Sequence, residues 1–207
     1  VFDHGWADAW HRAGGDYYPK LQIAVPFTPV PGRRLLTRAA ELAPALIGAA
    51  ERIVDSNGLS SAHATFIHAD EVAVFERAGW LIRTDSQFHW TNDGYADFDA
   101  FLGSLASRKR KAIRKERALA LQGLEIVHLS GDAIREAHWD AFWTFYQDTG
   151  ARKWGRPYLT RAFFSLLGER LADRVLLIFA LRHGRPIAGA LNMIGADALY
   201  GRYWGCI

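Results

Sequence analysis

Three apolar runs in the last third of the chain, residues 175–182, 186–194 and 199–205, are parted by His183-Gly184-Arg185 and Gly195-Ala196-Asp197. Each run has strand length and each break carries a glycine, the pattern of hairpin turns between neighbouring strands. Before them stand a strand-like run at 124–129 and helix-like stretches near 133–149 and 160–172. The second half therefore reads β-α-α-β-β-β. The first half has a different order. A strand at 21–27 leads into the proline-broken loop TPVPGRR, then a helix near 37–56 closed by Asn57-Gly58. A strand near 62–67, a helix near 69–78 ended by Gly79 and a β-rich run at 80–90 complete β-loop-α-β-α-β.

Between the halves, seven of the ten residues at 108–117 (RKRKAIRKER) are Arg or Lys and one is acidic. The whole chain has a formal charge of only +3, so the basic character belongs to this one element. Like charges so close repel, and such a block commonly faces something anionic; a solvated helix face reads the same way. Tyr95, Phe98, Phe101, Leu102 and Leu105 recur at helical spacing, and the row continues through Ala112, Ile113 and Leu119. With Asn92 or Asp93 as the cap and Gly123 just past the end, the pattern predicts one helix of about 28 residues, or about 42 Å.

The chain has 207 residues, half of them apolar and 23% charged, enough for one large domain or two small ones. No apolar stretch is long enough to span a bilayer. A single cysteine, Cys206, excludes an internal disulfide and suits a reducing, cytoplasmic compartment. The eight histidines are scattered without zinc-ligand spacing, so no metal is expected. The opening Val1 and the final Ile207, directly after a strand-like run, predict an internal segment of a longer protein.

The order of elements resembles the GNAT acyltransferase superfamily, which runs β-α-α-β-β-β and then loop-α-β-α-β; here the second part comes first. The string from Ala73 to Trp80, AVFERAGW, resembles the GNAT junction in which a helix ends in an aromatic, three residues, Gly and a second aromatic. Gly79 permits a left-handed helix end and Trp80 plugs the core. Across nearly its full length the chain more closely resembles FemAB-like, GNAT-related proteins linked to peptidoglycan biosynthesis. The strings FDHGW (2–6), AGGDYYPK (13–20), VPFTPV (25–30), KWGRPY (153–158) and YGRYWGC (200–206), with the basic run, carry that resemblance.

The resemblance implies an α/β (α+β) fold with GNAT-like mixed sheets. Residues 1–92 would form the C-terminal part of one such domain, 93–122 a basic connecting helix, and 123–207 the N-terminal part of a second. It places an acyl-CoA donor at the loop after the first strand. There Gly32 alone resembles the family's glycine-rich pattern, while Arg33 and Arg34 can grip phosphate in its stead. Phe75 stands where many GNAT enzymes carry a proton-donating Tyr; either Tyr203 or Tyr17 serves as the acid, or this first domain has lost catalysis. His68, Asp70 and Glu71 form the nearest group for a base, and they equally suit a helix cap.

Two further stretches are candidates. Lys153, Trp154, Arg156 and Tyr158 interleave cations with aromatics, a pattern that grips a phosphate while stacking a ring, or that packs beneath its own loop. Gly201 and Gly205 alternate in the last strand and predict a trough against which a donor could lie beside Arg202. The anion site would comprise these loop residues with Arg108, Lys109, Lys111, Arg114 and Lys115. The sequence thus reads as a transferase moving an acyl or aminoacyl group, from acyl-CoA or aminoacyl-tRNA, to an amine on an anionic or nucleotide-linked cell-wall precursor. The alternative is a non-catalytic module that binds RNA or an anionic polymer.

Overall fold

A computed structural model of the chain describes residues 3–26, 28–152 and 157–207. It divides into two compact units, Val1–Thr91 and Asn92–Ile207.

The first unit begins with helix α1 (His4–Arg12), followed by strand β1 (Leu21–Ile23), helix α2 (Ala43–Ser56), strand β2 (Ala62–Ala64) and helix α3 (Val72–Arg77). β1 and β2 pair in parallel, Leu21 opposite Ala62 and Ile23 opposite Ala64, with α2 as the crossover. A single bridge from Gly32 to Ile67 prolongs the pairing beyond the strands. Leu35, Ile47 and Phe75 are buried at the centre, with Ala64, Ile67, Val74 and Trp80 packed around them. α3 stops as the AVFERAGW string predicts. Gly79 has φ +82°, its N–H donates to the Glu76 carbonyl (2.9 Å), and the Trp80 N–H donates to that of Phe75 (3.0 Å). This is the Schellman closure, completed by the Phe75 and Trp80 rings at 5.1 Å.

Residues 80–97 form neither helix nor strand. The β-rich run expected at 80–90 is thus not a strand: Leu81 and Phe88 are almost wholly exposed, and a strand without a hydrogen-bonded neighbour does not hold its form in water.

In the second unit, strands β3 (Glu125–Leu129), β4 (Val175–Arg182), β5 (Arg185–Ile194) and β6 (Leu199–Cys206) form an antiparallel sheet in chain order. His183 (φ +52°) and Gly184 (φ +71°) make the tight β4–β5 turn, both central residues left-handed as a two-residue hairpin requires. Helices α6 (Glu136–Arg152) and α7 (Arg161–Leu171) cover one face. Trp139, Phe142, Phe145, Phe164, Val175, Leu177, Phe179 and Leu191 are nearly or fully buried there. Most of the unit's apolar stabilisation lies in this aromatic core.

The long basic helix is two helices. α4 (Phe98–Ser104) is capped by Asp97, whose carboxylate accepts from the Ala100 N–H (2.7 Å), and not by Asn92 or Asp93. Leu105 and Ala106 are extended (ψ 152° and 142°), and α5 (Ser107–Ala120) starts afresh. Ser104 turns its hydroxyl back onto the Phe101 carbonyl (2.7 Å), a local bond that competes with helical continuation. The break brings α5 back onto α4: Arg110 reaches the Gly103 carbonyl (3.2 Å) and Arg114 reaches Asp99 (3.1 Å). Arg117 lies 4.3 Å over the Phe98 ring.

Candidate functional site

Parallel strands direct the loops that follow them to one edge, where ligands of such sheets bind. In the first unit those loops are 24–36 and 65–71, and they bring together Gly32, Arg33, Arg34, His68 and Glu71. The loops are tied backbone to backbone by the Gly32 N–H donating to the Phe66 carbonyl (3.0 Å). Phe66 has φ +53°, an unfavourable conformation for a bulky side chain, and such strain collects at functional sites.

Three exposed side chains converge at this edge. His68 Nδ1 meets Asp70 Oδ1 at 2.8 Å, and Arg33 Nη2 meets Asp70 Oδ2 at 2.5 Å. The His68 hydrogen bond, followed by the Arg33 charge, holds the Asp70 carboxyl below the usual carboxylate range. A carboxylate on Nδ1–H leaves the Nε2 lone pair directed away from it. Asp70 is therefore more than a cap: it orients the imidazole.

Glu71 and Arg34 are placed otherwise than expected. The Glu71 carboxylate, 5% exposed, accepts from the N–H groups of Arg34 (2.8 and 3.0 Å), Leu35 (2.7 Å) and His68 (3.1 Å). Both oxygens of this buried carboxylate are taken up by backbone N–H groups, so Glu71 does not sit where a base would meet a substrate amine. The Arg34 guanidinium bonds the carbonyls of Thr65 (2.9 Å), Val30 (2.8 Å) and Arg33 (3.3 Å). It secures the loop with three of its five N–H donors, whereas the Arg33 side chain is exposed. Phe75 is 1% exposed in the core, so its position faces no ligand.

The opposite end of the same strand pair carries a network that sequence reasoning missed. Lys20 Nζ pairs with Asp3 and lies 3.4 Å from both the Tyr17 hydroxyl and His63 Nδ1; His63 Nε2 meets Ser61 Oγ at 3.0 Å. Burial and then the Lys20 charge hold the His63 imidazole below its ordinary value. Only the DHGW and DYYPK strings hint at it, since no periodicity links residues 3, 17, 20 and 63.

In the second unit Tyr158, Arg202 and Tyr203 are brought together. The Tyr158 and Tyr203 hydroxyls share a hydrogen bond (2.5 Å), and Arg202 Nη2 donates to the Tyr158 oxygen (3.0 Å). Burial, then the Tyr158 bond, pushes the Tyr203 phenol above its ordinary range. A phenol that keeps its proton so firmly suits hydrogen-bond donation better than proton transfer. Lys153, Trp154 and Arg156 lie outside the described residues.

The glycine trough is only partly open. A Cβ at Gly205 would lie 2.5 Å from the Phe145 carbonyl oxygen and 2.8 Å from Thr149 Oγ1, because α6 crosses there, whereas one at Gly201 would meet only Asn192 Oδ1 at 3.7 Å. Of the α5 cations, all but the half-buried Arg110 are exposed. Arg108, Lys111 and Lys115, at i, i+3 and i+7, share one face, distinct from that of Arg110, Arg114 and Arg117, which meets α4.

Among the described residues no group of three metal-ligating side chains gathers, and no helix is long and apolar enough to cross a membrane. The mixed α/β architecture is similar to that of a solved structure, that of L-PGS from Bacillus licheniformis, with a TM-score of 0.51 and 10% identity over 81% of this chain. That likeness concerns the fold alone, and the chain spans about half (49%) of the matched structure's length. The chain belongs to the FemAB-like family, whose model, described as peptidoglycan biosynthesis/recognition, matches residues 1–207. Comparison with curated proteins gives no match.

Proposed function

We propose that the protein is a GNAT/FemAB-like transferase that moves an acyl or aminoacyl group to an amine on an anionic, nucleotide-linked cell-wall precursor in the cytoplasm. The observation that carries this reading is the Asp70–His68 pair beside Arg33, exposed at the carboxyl edge of two parallel strands. His68 Nε2 takes a proton from the acceptor ammonium, and the freed amine attacks the donor's acyl carbon. The new C–N bond forms as the bond to the thiolate of coenzyme A or the ribose oxygen of tRNA breaks. The nitrogen sheds its second proton to solvent as the tetrahedral adduct collapses, and the leaving group takes up a proton from solvent or from the imidazolium. Arg33 binds a donor phosphate. On the second unit, Tyr158, Arg202 and the outward cations of α5 form a phosphate-binding surface of their own.

On the same reading, residues 1–92 and 123–207 are parts of two GNAT-like domains, a view supported by the parallel pair with its crossover helix in one unit and the four-stranded meander in the other. The test is transfer assayed with acetyl-CoA and with aminoacyl-tRNA. His68→Ala should lower kcat by about 10²-fold or more, whereas Arg33→Ala should raise the donor KM with kcat nearly intact. Equal turnover in His68→Ala and the unaltered protein would remove His68 as the base.

One observation favours a second reading, a non-catalytic module for RNA or an anionic polymer: Phe75 is buried and supplies no acid at its position. Steeply salt-dependent RNA binding, without transfer from either donor, would decide for it.

A further inference from the structure

We infer that Glu71 is a positioning residue that sets Arg33 and His68 in register with each other through one buried carboxylate; the inference rests on the reading of those two residues as the donor-binding and basic groups. Glu71 Oε1 holds the N–H groups of Arg34 and Leu35, and Oε2 holds those of Arg34 and His68. The bonded amides are that of His68 itself and those of the two residues after Arg33, on loops more than thirty residues apart in sequence. Beyond those bonds the loops are linked by the Gly32–Phe66 backbone bond, the Arg34–Thr65 bond and the shared Asp70.

The chemistry of the group fits the task. A carboxylate accepts at both oxygens and donates at neither, so it can hold amides from two loops at once. An amide in its place turns an NH2 toward one set of N–H groups, which then face a donor. Leu35 is buried, so its N–H cannot turn to water instead. The Phe66 conformation (φ +53°) marks where the second loop is bent to bring the His68 N–H within reach.

The experiment compares the full chain with Glu71→Gln, Arg33→Ala, His68→Ala and the double variant E71Q/H68A. By amide hydrogen exchange, E71Q should speed exchange at Arg34, Leu35 and His68 by about tenfold or more while α2 keeps its protection. Unchanged exchange at those amides, or equal loss throughout α2, overturns the inference and does not depend on any substrate. By transfer from acetyl-CoA or aminoacyl-tRNA, E71Q should raise the donor KM and lower kcat together, whereas R33A moves KM alone and H68A kcat alone. The double variant should have the kcat of H68A, since Glu71 acts on turnover through His68; additive losses overturn the positioning role. If H68A keeps full turnover, the base assignment fails, and the exchange result still decides whether Glu71 fixes the loops.

Discussion

Arg202 lies 4.3 Å over the ring of Tyr203, its neighbour in the chain, and both meet the hydroxyl of Tyr158. In a regular strand two adjacent side chains point to opposite faces. The register of β5 and β6 explains the exception. Leu191 faces Tyr203 and Asn192 faces Gly201, so Arg202 is the extra residue of a β-bulge. The bulge redirects one side chain and thereby assembles the cluster.

Tyr158→Phe removes the hydroxyl both neighbours use. The Tyr203 phenol should then titrate at lower pH, followed by ultraviolet difference absorbance, and stability should fall by about 1 kcal/mol in urea unfolding. An unchanged titration curve would show that burial alone raises Tyr203.

The two glycines of β6 should respond in opposite ways. Gly205→Ala drives a methyl into the Phe145 carbonyl and should cost about 1–3 kcal/mol. Gly201→Ala enters ordinary contact with Asn192 and should change stability by less than about 1 kcal/mol. Thermal unfolding of the two variants tests the crossing of α6 over β6 directly.

Acid should weaken the first unit through His63. Its imidazole is held below the ordinary 6.5, so its contribution is complete above pH 6.5 and is lost as pH falls through the lower folded value. Asp3, lowered from 3.8 despite its burial by the Lys20 hydrogen bond and charge, adds a second loss below pH 3.8 by the same sign. Urea midpoints measured from pH 7 to pH 5 should fall for the unaltered chain and flatten for His63→Gln; parallel slopes would rule out His63.

The cations of α5 should separate by face. Charge reversal at Arg108, Lys111 and Lys115 should weaken binding of single-stranded RNA and lower the log–log salt slope by about 0.7 for each phosphate no longer neutralised. Arg114→Ala, which removes an exposed pair with Asp99, should cost under about 1 kcal/mol. Equal effects on slope from both faces would show that packing against α4 does not sequester charge.

Where apolar rhythm or glycine decides the outcome, the chain is legible from its residues. The hairpins of β4 to β6, the helices α6 and α7 and the Gly79 closure all follow from residues within a few positions of one another. α1 escapes such a reading because it is only nine residues long: Trp6, Ala9 and Trp10 share one face, but two turns are too few to set a helical period apart from chance, and no side chain of His4–Arg12 is buried. The joint at Leu105-Ala106 is hidden because no Gly or Pro occupies it, and its local mark is the Ser104 hydroxyl on the Phe101 carbonyl. Bringing Arg33, His68 and Glu71 to one edge needs the parallel pairing of β1 with β2, and the distinct role of Glu71 needs its three amide partners. Neither is a property of local sequence.

Each strand of the parallel pair is three residues long, too short for ladder bonds alone to fix its ends. Its amino end is fastened by Lys20 between Asp3 and His63, and its carboxyl edge by Glu71 between two loops. Tolerance to substitution should accordingly be inverted between the units. In the second, trimming a buried ring such as Phe142 does the greatest harm; in the first, an exchange that preserves size and removes only a charge, as at Asp3 or Glu71, is enough to disorder the edge.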